Sequence, residues 1–578
     1  MGTLAAEERR HLDRKETLWL WAGCSIYLLL FAGDGLAAYF SGDDLMNLHG
    51  HWSTSWRELS VQNLWPFSGD YRPLGGLAYR IVFALFGFDP LPLRILCFSL
   101  LLGNLWVACL LFRELASGSR ATAIAAVVFS YNAQMADLHY SGGTLYELTA
   151  FLLYSSALLT YVRTSAGNRR LSRTALITAL FVGALNSKEI AITLPAVLAA
   201  YEIVCARDGL RGVRIALRQR SARVISLIAT SVVAAAYVPA KLLSDSPQLQ
   251  VAAYRPELSI DQYLGALGHY VARVTYQAGE PGEAAAAVVL VLAAAAAYLL
   301  RSRAQTFGLV FVAIAVLPIA VVAPRAGFAF YIPFFGLSLF AGELLGGALR
   351  RFLAVLPQGL ARRMNPLSTA ILAAALLTPA HASHRAVPRE AVMLGVDERR
   401  RVGEQLAVQR DALCAADSVF WQLDPFEDYS AFFMTRLLCA NPQLVVQHRS
   451  TRDDSTGYEA AVLFEGQRLT VSNPTSGSDS SPQPIEVRLR PEIVRPGDAY
   501  VIEIPELAGR MIDVAYAGGS GYFSQAGVIE DFCRLNGEGK ASVQTPLDQP
   551  RGVARITHVR EQGGRWRPTE AAIEVRTE

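Results

Sequence analysis

Apolar residues gather in long runs over the first two thirds of the chain and then in short alternating groups to the end. A helix rises about 1.5 Å per residue, so roughly 17 to 25 apolar residues cross a hydrocarbon core of about 30 Å. Runs of this kind predict eleven spans, near residues 18 to 40, 91 to 112, 121 to 138, 144 to 162, 174 to 187, 190 to 206, 224 to 243, 284 to 300, 305 to 323, 328 to 349 and 366 to 382. Beyond 382 the period changes. "DERRRVGEQLAVQRDALCAA" reads as an amphipathic helix, "SVFWQLD" as a strand, "DYSAFFMTRLLCAN" as a helix and "QLVVQHR" as a strand, which predicts a small α/β region over 383–457. From 458 to 578, segments such as "YEAAVLF", "QRLTVSN", "PIEVRLR" and "AYVIEIPEL" alternate with Gly, Pro, Asp and Ser, the pattern of a β-sandwich of immunoglobulin-like size. The expected fold is a polytopic α-helical membrane domain, residues 1–382 with about 11 transmembrane helices, followed by a C-terminal soluble α/β plus β-sandwich region.

Charge supplies the orientation, because Arg and Lys in short loops stay on the cytoplasmic side. "EERRHLDRKE", "RELASGSR", "RTSAGNRRLSR", "RDGLRGVRIALRQRSAR", "RSR" and "RRFLAVLPQGLARR" fall in alternate loops, which places the N-terminus inside and, with an odd number of spans, everything after Ala382 outside. Composition agrees: 52% of the 578 residues are hydrophobic, above the range of ordinary soluble domains. The net charge of +3 is largely this topology signal and gives no support to nucleic-acid binding. The first run is too long for a signal-peptide core and ten more follow, so it reads as a retained span. Of the seven cysteines, Cys24, Cys97, Cys109 and Cys205 lie in or beside spans as small apolar residues. Cys414, Cys439 and Cys533 fall in the exported part, where a Cys414 to Cys439 disulfide suits an oxidising exterior.

Candidate chemistry collects at the outward ends of the runs. "AYFSGDDLMNLHGHW" puts Asp43 and Asp44 where the chain leaves the first span. Acidic residues commonly mark the point where a span meets water, but a carboxylate there can also take a proton from an acceptor hydroxyl. If the segment is extended, the two side chains point to opposite sides, so one can act as base while the other caps a backbone amide. "LNSKEIAITLP" wedges Lys188 and Glu189 between two apolar runs in a chain with only four lysines. They form either a self-neutralising structural pair or a phosphate site in which Glu189 positions Lys188. "APRAGFAFYIPFFG" carries an outward Arg325 beside Tyr331, and "DYRPLGGLAYR" carries Arg72. Each arginine suits a phosphate clamp or a snorkelling interface residue. His49, His51 and His139 are open as acid/base groups, metal ligands or polar loop residues.

Taken in order, "YFSGDDLMNL", "YRPLGGLAYRIVFALFGFDPLPLRILCF", "LNSKEIAITLPAVLAAYE" and "PRAGFAFYIPFFG" resemble bacterial membrane glycosyltransferases of the C-type (GT-C) superfamily, in the branch related to protein O-mannosyltransferases and TMTC-type enzymes. The resemblance spans roughly residues 15 to 350. It implies a polyprenyl-phosphate sugar donor, a protein, lipid or glycan acceptor on the non-cytoplasmic face, and a bacterial inner-membrane location. By position it implies Asp43 or Asp44 as catalytic base and Lys188 and Arg325 as carrier-phosphate ligands. No cofactor is required, although one branch of the superfamily uses a divalent cation, for which the Asp43 and Asp44 pair is the candidate site. The chain departs from the TMTC pattern in lacking histidines at the start of the second span and any 34-residue repeat in its tail. Two other classes remain open: a transporter or flippase of lipid-linked sugars, and a non-catalytic anchor for the exported tail.

Overall fold

A computed structural model describes residues 12–64, 72–164, 171–205, 221–242, 257–277, 283–300, 302–355, 364–423, 425–426, 429–447, 458–465, 468–472, 484–491, 493–495, 499–517, 529–544, 552–561, 567–569 and 571–575. The chain divides into two compact units. The first takes Met1–Ala38, Leu91–Ala240 and Val251–Leu394, the second Tyr39–Pro90, Lys241–Gln250 and Gly395–Glu578. Between the predicted spans, residues 65–71, 243–256 and 278–282 lie outside the described residues.

The first unit is helical. Among the described residues, six helices are long and apolar enough to cross a membrane: Arg14–Ala37, Pro90–Leu115, Gly142–Val162, Ala222–Ala240, Arg303–Ala320 and Gly327–Ala354. Trp19, Leu30, Leu299 and Leu376 stand well exposed, which a helical surface tolerates when lipid covers it. Six of the eleven expected runs thus stand as long apolar helices among the described residues, with the shorter apolar helices Pro73–Phe86, Ser119–Ser130, Leu171–Leu185 and Ala284–Leu300 beside them. The run at 121–138 breaks because Ser119–Ser130 ends at an extended Tyr131, and the Asn132 side chain then accepts the Gln134 N–H to start a new turn. Ser119–Ser130 has 12 residues, about 18 Å of helix against a core of about 30 Å. The run at 190–206 divides into a 3-10 turn, Glu189–Thr193, and a helix, Leu194–Val204. Small residues let these short pieces pack closely. A Cβ on Gly342 would lie 2.7 Å from the Ala121 carbonyl oxygen, so Tyr331–Ala354 sits backbone to backbone on Ser119–Ser130.

No helix end falls at the expected boundary near 382. One helix of 43 residues, Pro366–Val408, runs through it and contains Pro379 and Pro388. Polarity changes near residue 382, but polarity alone does not stop a helix. The first described turn that ends this one follows Val408.

In the second unit the strands are β1 Ser418–Leu423, β2 Val445–Gln447, β3 Ala460–Glu465, β4 Arg468–Ser472, β5 Arg488–Arg490, β6 Ile493–Val494, β7 Ala499–Glu503, β8 Met511–Ala517, β9 Ile529–Arg534, β10 Lys540–Gln544, β11 Gly552–Glu561, β12 Arg567–Pro568 and β13 Ala572–Val575. β1 pairs in parallel with β2 and β3, and β4 closes the far edge antiparallel, giving the order β2-β1-β3-β4. Val419, Phe420 and Trp421 are all buried, as expected of a central parallel strand covered on both faces. The α/β region thus extends past the expected limit of 457. "YEAAVLF" and "QRLTVSN", assigned from the sequence to the sandwich, pair instead beside β1.

The remaining strands form a three-stranded sheet, β10-β7-β5, and a six-stranded sheet, β6-β13-β11-β8-β9 with β12 on β11. Ile502, Ala541, Ile512, Val514, Ile556 and Val559 from both sheets share one core. β7 alternates buried and less buried positions, the signature of a strand with one covered face.

Cys414 and Cys439 form a disulfide with a Cα–Cα distance of 5.2 Å, joining the end of the helix Arg410–Cys414 to the end of Ser430–Leu438. The bridge closes 25 residues of chain around β1. Its removal in Cys414→Ser/Cys439→Ser is expected to cost about 2–4 kcal/mol, read as a lower denaturation midpoint of the full-length protein. An unchanged midpoint would show that the α/β sheet holds this region without the bridge.

Candidate functional site

Asp43 and Asp44 stand at the start of a helix, Gly42–Ser53, so the arrangement conditional on an extended segment does not apply. Ser41 is its N-cap: the Ser41 hydroxyl accepts the Asp44 N–H at 3.2 Å, and Asp44 Oδ2 accepts the Ser41 N–H at 2.9 Å. This reciprocal capping box explains the sequence S-G-D-D, because a side-chain acceptor three residues on satisfies an amide the helix cannot. Asp44 is fully buried in that role. Asp43 occupies the same first turn, exposed. Successive helical residues point about 100° apart. The pair is therefore split into a capping carboxylate and an accessible one. A divalent cation held by both carboxylates does not fit this arrangement, since Asp44 is turned inward onto Ser41.

The other end of the helix is also held. Arg80 Nη1 donates to the carbonyls of His51 (3.2 Å), Trp52 and Thr54, and its guanidinium lies 4.7 Å from the Trp56 ring. A cation on the last carbonyls suits the negative end of the helix dipole. The buried face carries Leu45, Asn47, Leu48 and His49.

His49 and His51 are packing residues in this structure. His49 lies edge-on to Phe432 (5.5 Å) and near Phe433 (5.2 Å) of the helix Ser430–Leu438, with its Nε2 buried and without a hydrogen-bond partner among the described residues. Burial and the nearby Arg436 push its pKa well below the ordinary value. His51 stacks on Tyr79 at 6.0 Å. Gly76 makes room for it, since a Cβ there would come 2.6 Å from His51 Nδ1. Burial lowers the His51 pKa from 6.5 to about 4. Arg72 is the N-cap of Pro73–Phe86 with φ 61° and ψ 48°, a left-handed conformation that costs a non-glycine residue roughly 1–2 kcal/mol.

The remaining candidates belong to the first unit. Lys188 Nζ lies 2.5 Å from Glu147 Oε1, and both side chains are largely buried. The ion pair shown is thus with Glu147, across two helical segments, where the sequence reading had offered Glu189. Glu189 opens the 3-10 turn that follows Lys188. Arg325 is fixed through its backbone: its N–H donates to the Tyr270 hydroxyl at 3.1 Å, and its carbonyl lies 3.1 Å from His269 Nε2. Tyr331 is buried in a ring cluster with Phe129 (5.4 Å) and Phe151 (4.8 Å). Its place is in the aromatic core. His139 is buried and stacks on Tyr131 at 5.3 Å, with its pKa lowered to about 4 by burial.

Three features were missed from the sequence. Glu147 was legible as a lone carboxylate inside an apolar run. Arg80 gave no signal, because its carbonyl partners are set by the turn after Ser53. The ion-pair group of Asp34, Arg385 and Arg389 joins residues more than 350 positions apart in numbering. Among the described residues, no three His, Cys, Asp or Glu side chains are grouped as a metal ion would need.

No protein-family model matches the chain, and no curated protein matches it. Among solved structures it is similar to ArnT from Cupriavidus metallidurans bound to undecaprenyl phosphate, at 13% identity and TM-score 0.40, covering 75% of this chain and 86% of that chain. The apo state of the same protein gives 15% identity and TM-score 0.42 over 75% and 86% of the two chains. The Archaeoglobus fulgidus oligosaccharyltransferase tethered to an acceptor peptide through a disulfide gives 12% identity and TM-score 0.42, covering 75% of this chain and 65% of that chain. These overlaps are too loose to carry an argument about this protein's chemistry.

Two outcomes follow from the geometry. Lys188→Ala strands the buried Glu147 carboxylate and is expected to destabilise by about 3–5 kcal/mol, while Glu147→Gln/Lys188→Met recovers most of the loss. Equal melting temperatures for wild type and Lys188→Ala in detergent would contradict this. The pH dependence has a definite sign. His51 stays neutral in the folded state down to about pH 4, whereas the unfolded chain takes up its proton near 6.5. Stability is complete above about pH 6.5 and falls as pH drops toward 4. His51→Gln is expected to flatten that decline in denaturation midpoints measured at several pH values, and an unaltered slope would refute it.

Proposed function

We propose that the protein transfers a sugar from a polyprenyl-phosphate carrier to an acceptor hydroxyl at the outward face of a bacterial inner membrane. The observation that carries this reading is Asp43: an exposed carboxylate held on a helix fixed at both ends, eleven residues after the first apolar helix, Arg14–Ala32. The motif resemblance to C-type glycosyltransferases places the base at this point in the chain. Asp44 supports it by capping.

In this reading the acceptor oxygen attacks the anomeric carbon of the donor as the bond from that carbon to the phosphate oxygen breaks. The electron pair leaves on the phosphate, and the acceptor proton passes to the Asp43 carboxylate. A single displacement inverts the anomeric centre. The motif resemblance, and not the packing of the two units, assigns the departing phosphate to Lys188 and Arg325; within the first unit the Arg325 backbone is fixed by Tyr270 and His269, and the Lys188 ammonium is held by Glu147. Arg72 serves as a further cation for the donor. No step is assigned to a metal or to His49, His51, His139, Glu189 or Tyr331. The tail after the membrane part is exported in this reading, which agrees with its disulfide. By motif the chain resembles the protein O-mannosyltransferase and TMTC branch, with the acceptor a protein, lipid or glycan.

The test is transfer of labelled sugar from a polyprenyl phosphate by the purified full-length protein. Asp43→Asn is expected to lower turnover about 10²- to 10⁴-fold with an unchanged melting temperature. Asp44→Asn is expected to lower the melting temperature, with activity following the folded fraction, since an N-terminal cap contributes about 1 kcal/mol. Full turnover in Asp43→Asn would remove the base assignment.

A further inference from the structure

The first unit carries a second group of cations that the proposed transfer does not use. Asp34 lies in the 3-10 turn Gly33–Ala37 that ends the first apolar helix. Its Oδ1 accepts from the Tyr140 hydroxyl and from Arg385 Nη2, both at 2.8 Å, and its Oδ2 accepts from Arg389 Nε at 2.7 Å. Arg385 Nη2 also reaches the Tyr140 hydroxyl at 3.3 Å, and the Arg389 guanidinium lies 5.7 Å from the Tyr140 ring. Arg385 and Arg389 are four residues apart on the helix Pro366–Val408, so they share a face.

A staple between two helices requires one guanidinium for one carboxylate. Here two meet one, which leaves an excess positive charge. The three side chains remain 30%, 38% and 37% exposed for Arg385, Arg389 and Asp34. Each guanidinium has five N–H donors in a planar fork. The bonds shown use Arg385 Nη2 and Arg389 Nε, and Arg385 Nε is buried without a partner. Arg385 Nη1 and both terminal nitrogens of Arg389 therefore have no acceptor among the described residues. Beside them the exposed His384 ring stacks on Tyr276 at 4.6 Å, and this adds a further donor-bearing ring to the same helix. The group stands where the first apolar helix ends and shortly after the apolar part of Pro366–Val408, which is the depth of a headgroup.

We propose that Arg385 and Arg389, restrained by Asp34 and Tyr140, form a phosphate-binding subsite for the phosphate of a lipid carrier, a phospholipid headgroup or free phosphate. The subsite rests on the membrane reading of the apolar helices and not on the transfer reaction. Asp34 keeps the two guanidiniums parallel and yields part of its hydrogen bonding when a phosphate oxygen arrives. Its charge limits affinity, which suits a ligand that must also leave.

This arrangement makes a prediction that a structural staple does not. Neutralising Asp34 should tighten phosphate binding, while neutralising the arginines should abolish it. Binding is measured on full-length protein in nanodiscs, in the Glu147→Gln/Lys188→Met/Arg325→Ala background, so that the proposed clamp contributes nothing and its failure does not affect the result. The probes are a polyprenyl monophosphate, phosphatidylglycerol and inorganic phosphate. Arg385→Gln/Arg389→Gln is expected to weaken binding of at least one probe about ten- to a hundredfold, and Asp34→Asn to strengthen binding of the same probe. Preference for the polyprenyl probe identifies the carrier as ligand, preference for phosphatidylglycerol a headgroup, and equal binding of inorganic phosphate a soluble source. Melting temperatures are recorded in parallel, and Arg389→Gln alone replaces the double variant if that fails to fold, because its ion pair is partly exposed and worth about 0–1 kcal/mol. Absence of binding by all three probes, indifference to the arginine substitution, or weaker binding in Asp34→Asn would overturn the proposal.

Discussion

A charge carried among apolar helices must meet an opposite charge or strong hydrogen-bond donors, because desolvation otherwise costs several kcal/mol. The first unit follows this constraint at the buried acidic positions among its described residues. Glu147 holds Lys188, Glu202 lies 3.5 Å from Arg223, and Glu343 accepts from the Ser117 N–H and the Ser302 hydroxyl. Each of these contacts joins segments far apart in the chain, so the pairing also decides which helices meet. Lys188 is the clearest case: an ammonium in apolar surroundings needs a carboxylate partner, and Glu147 is that carboxylate.

In the second unit a comparable economy governs the helix Gly42–Ser53. Its first amides are satisfied by Ser41 and Asp44, its last carbonyls by Arg80, and its buried face by rings. His49 packs against Phe432 and Phe433, and Arg436 lies 4.4 Å over the Phe432 ring and donates to the Leu444 carbonyl at 2.8 Å. Burial lowers the Arg436 pKa to about 9. The tail thus supplies part of the floor on which the candidate catalytic helix rests. A role for the C-terminal region follows from this packing without any separate ligand.

The sequence was informative where one physical signal dominated. Apolar runs located the six long apolar helices among the described residues, and Cys414 and Cys439 are paired as expected. It was less so where two signals competed. The Asn132 turn lies inside an apolar run, so hydropathy hid it. Polarity at 382 suggested a boundary where the helix continues to Val408. β3 and β4 alternate as sandwich strands do, and only their pairing beside β1 assigns them to the α/β sheet. At the site, the S-G-D-D spacing contained the capping box, and the sequence reading offered a capping role for one of the two carboxylates without deciding which. The Glu147 to Lys188 pair and the Asp34 group depend on helix packing, which no local pattern encodes.

The account divides two adjacent carboxylates into a structural one and a chemical one, and it assigns the chemistry to Asp43. The most direct measurement is the distance from the Asp43 carboxylate to the acceptor hydroxyl in a structure of the protein with an unreactive donor analogue and an acceptor bound. The account predicts a separation of about 2.6–3.2 Å, with Asp44 still bonded to the Ser41 amide. An acceptor hydroxyl bound against another residue, with Asp43 turned to bulk water, would contradict it.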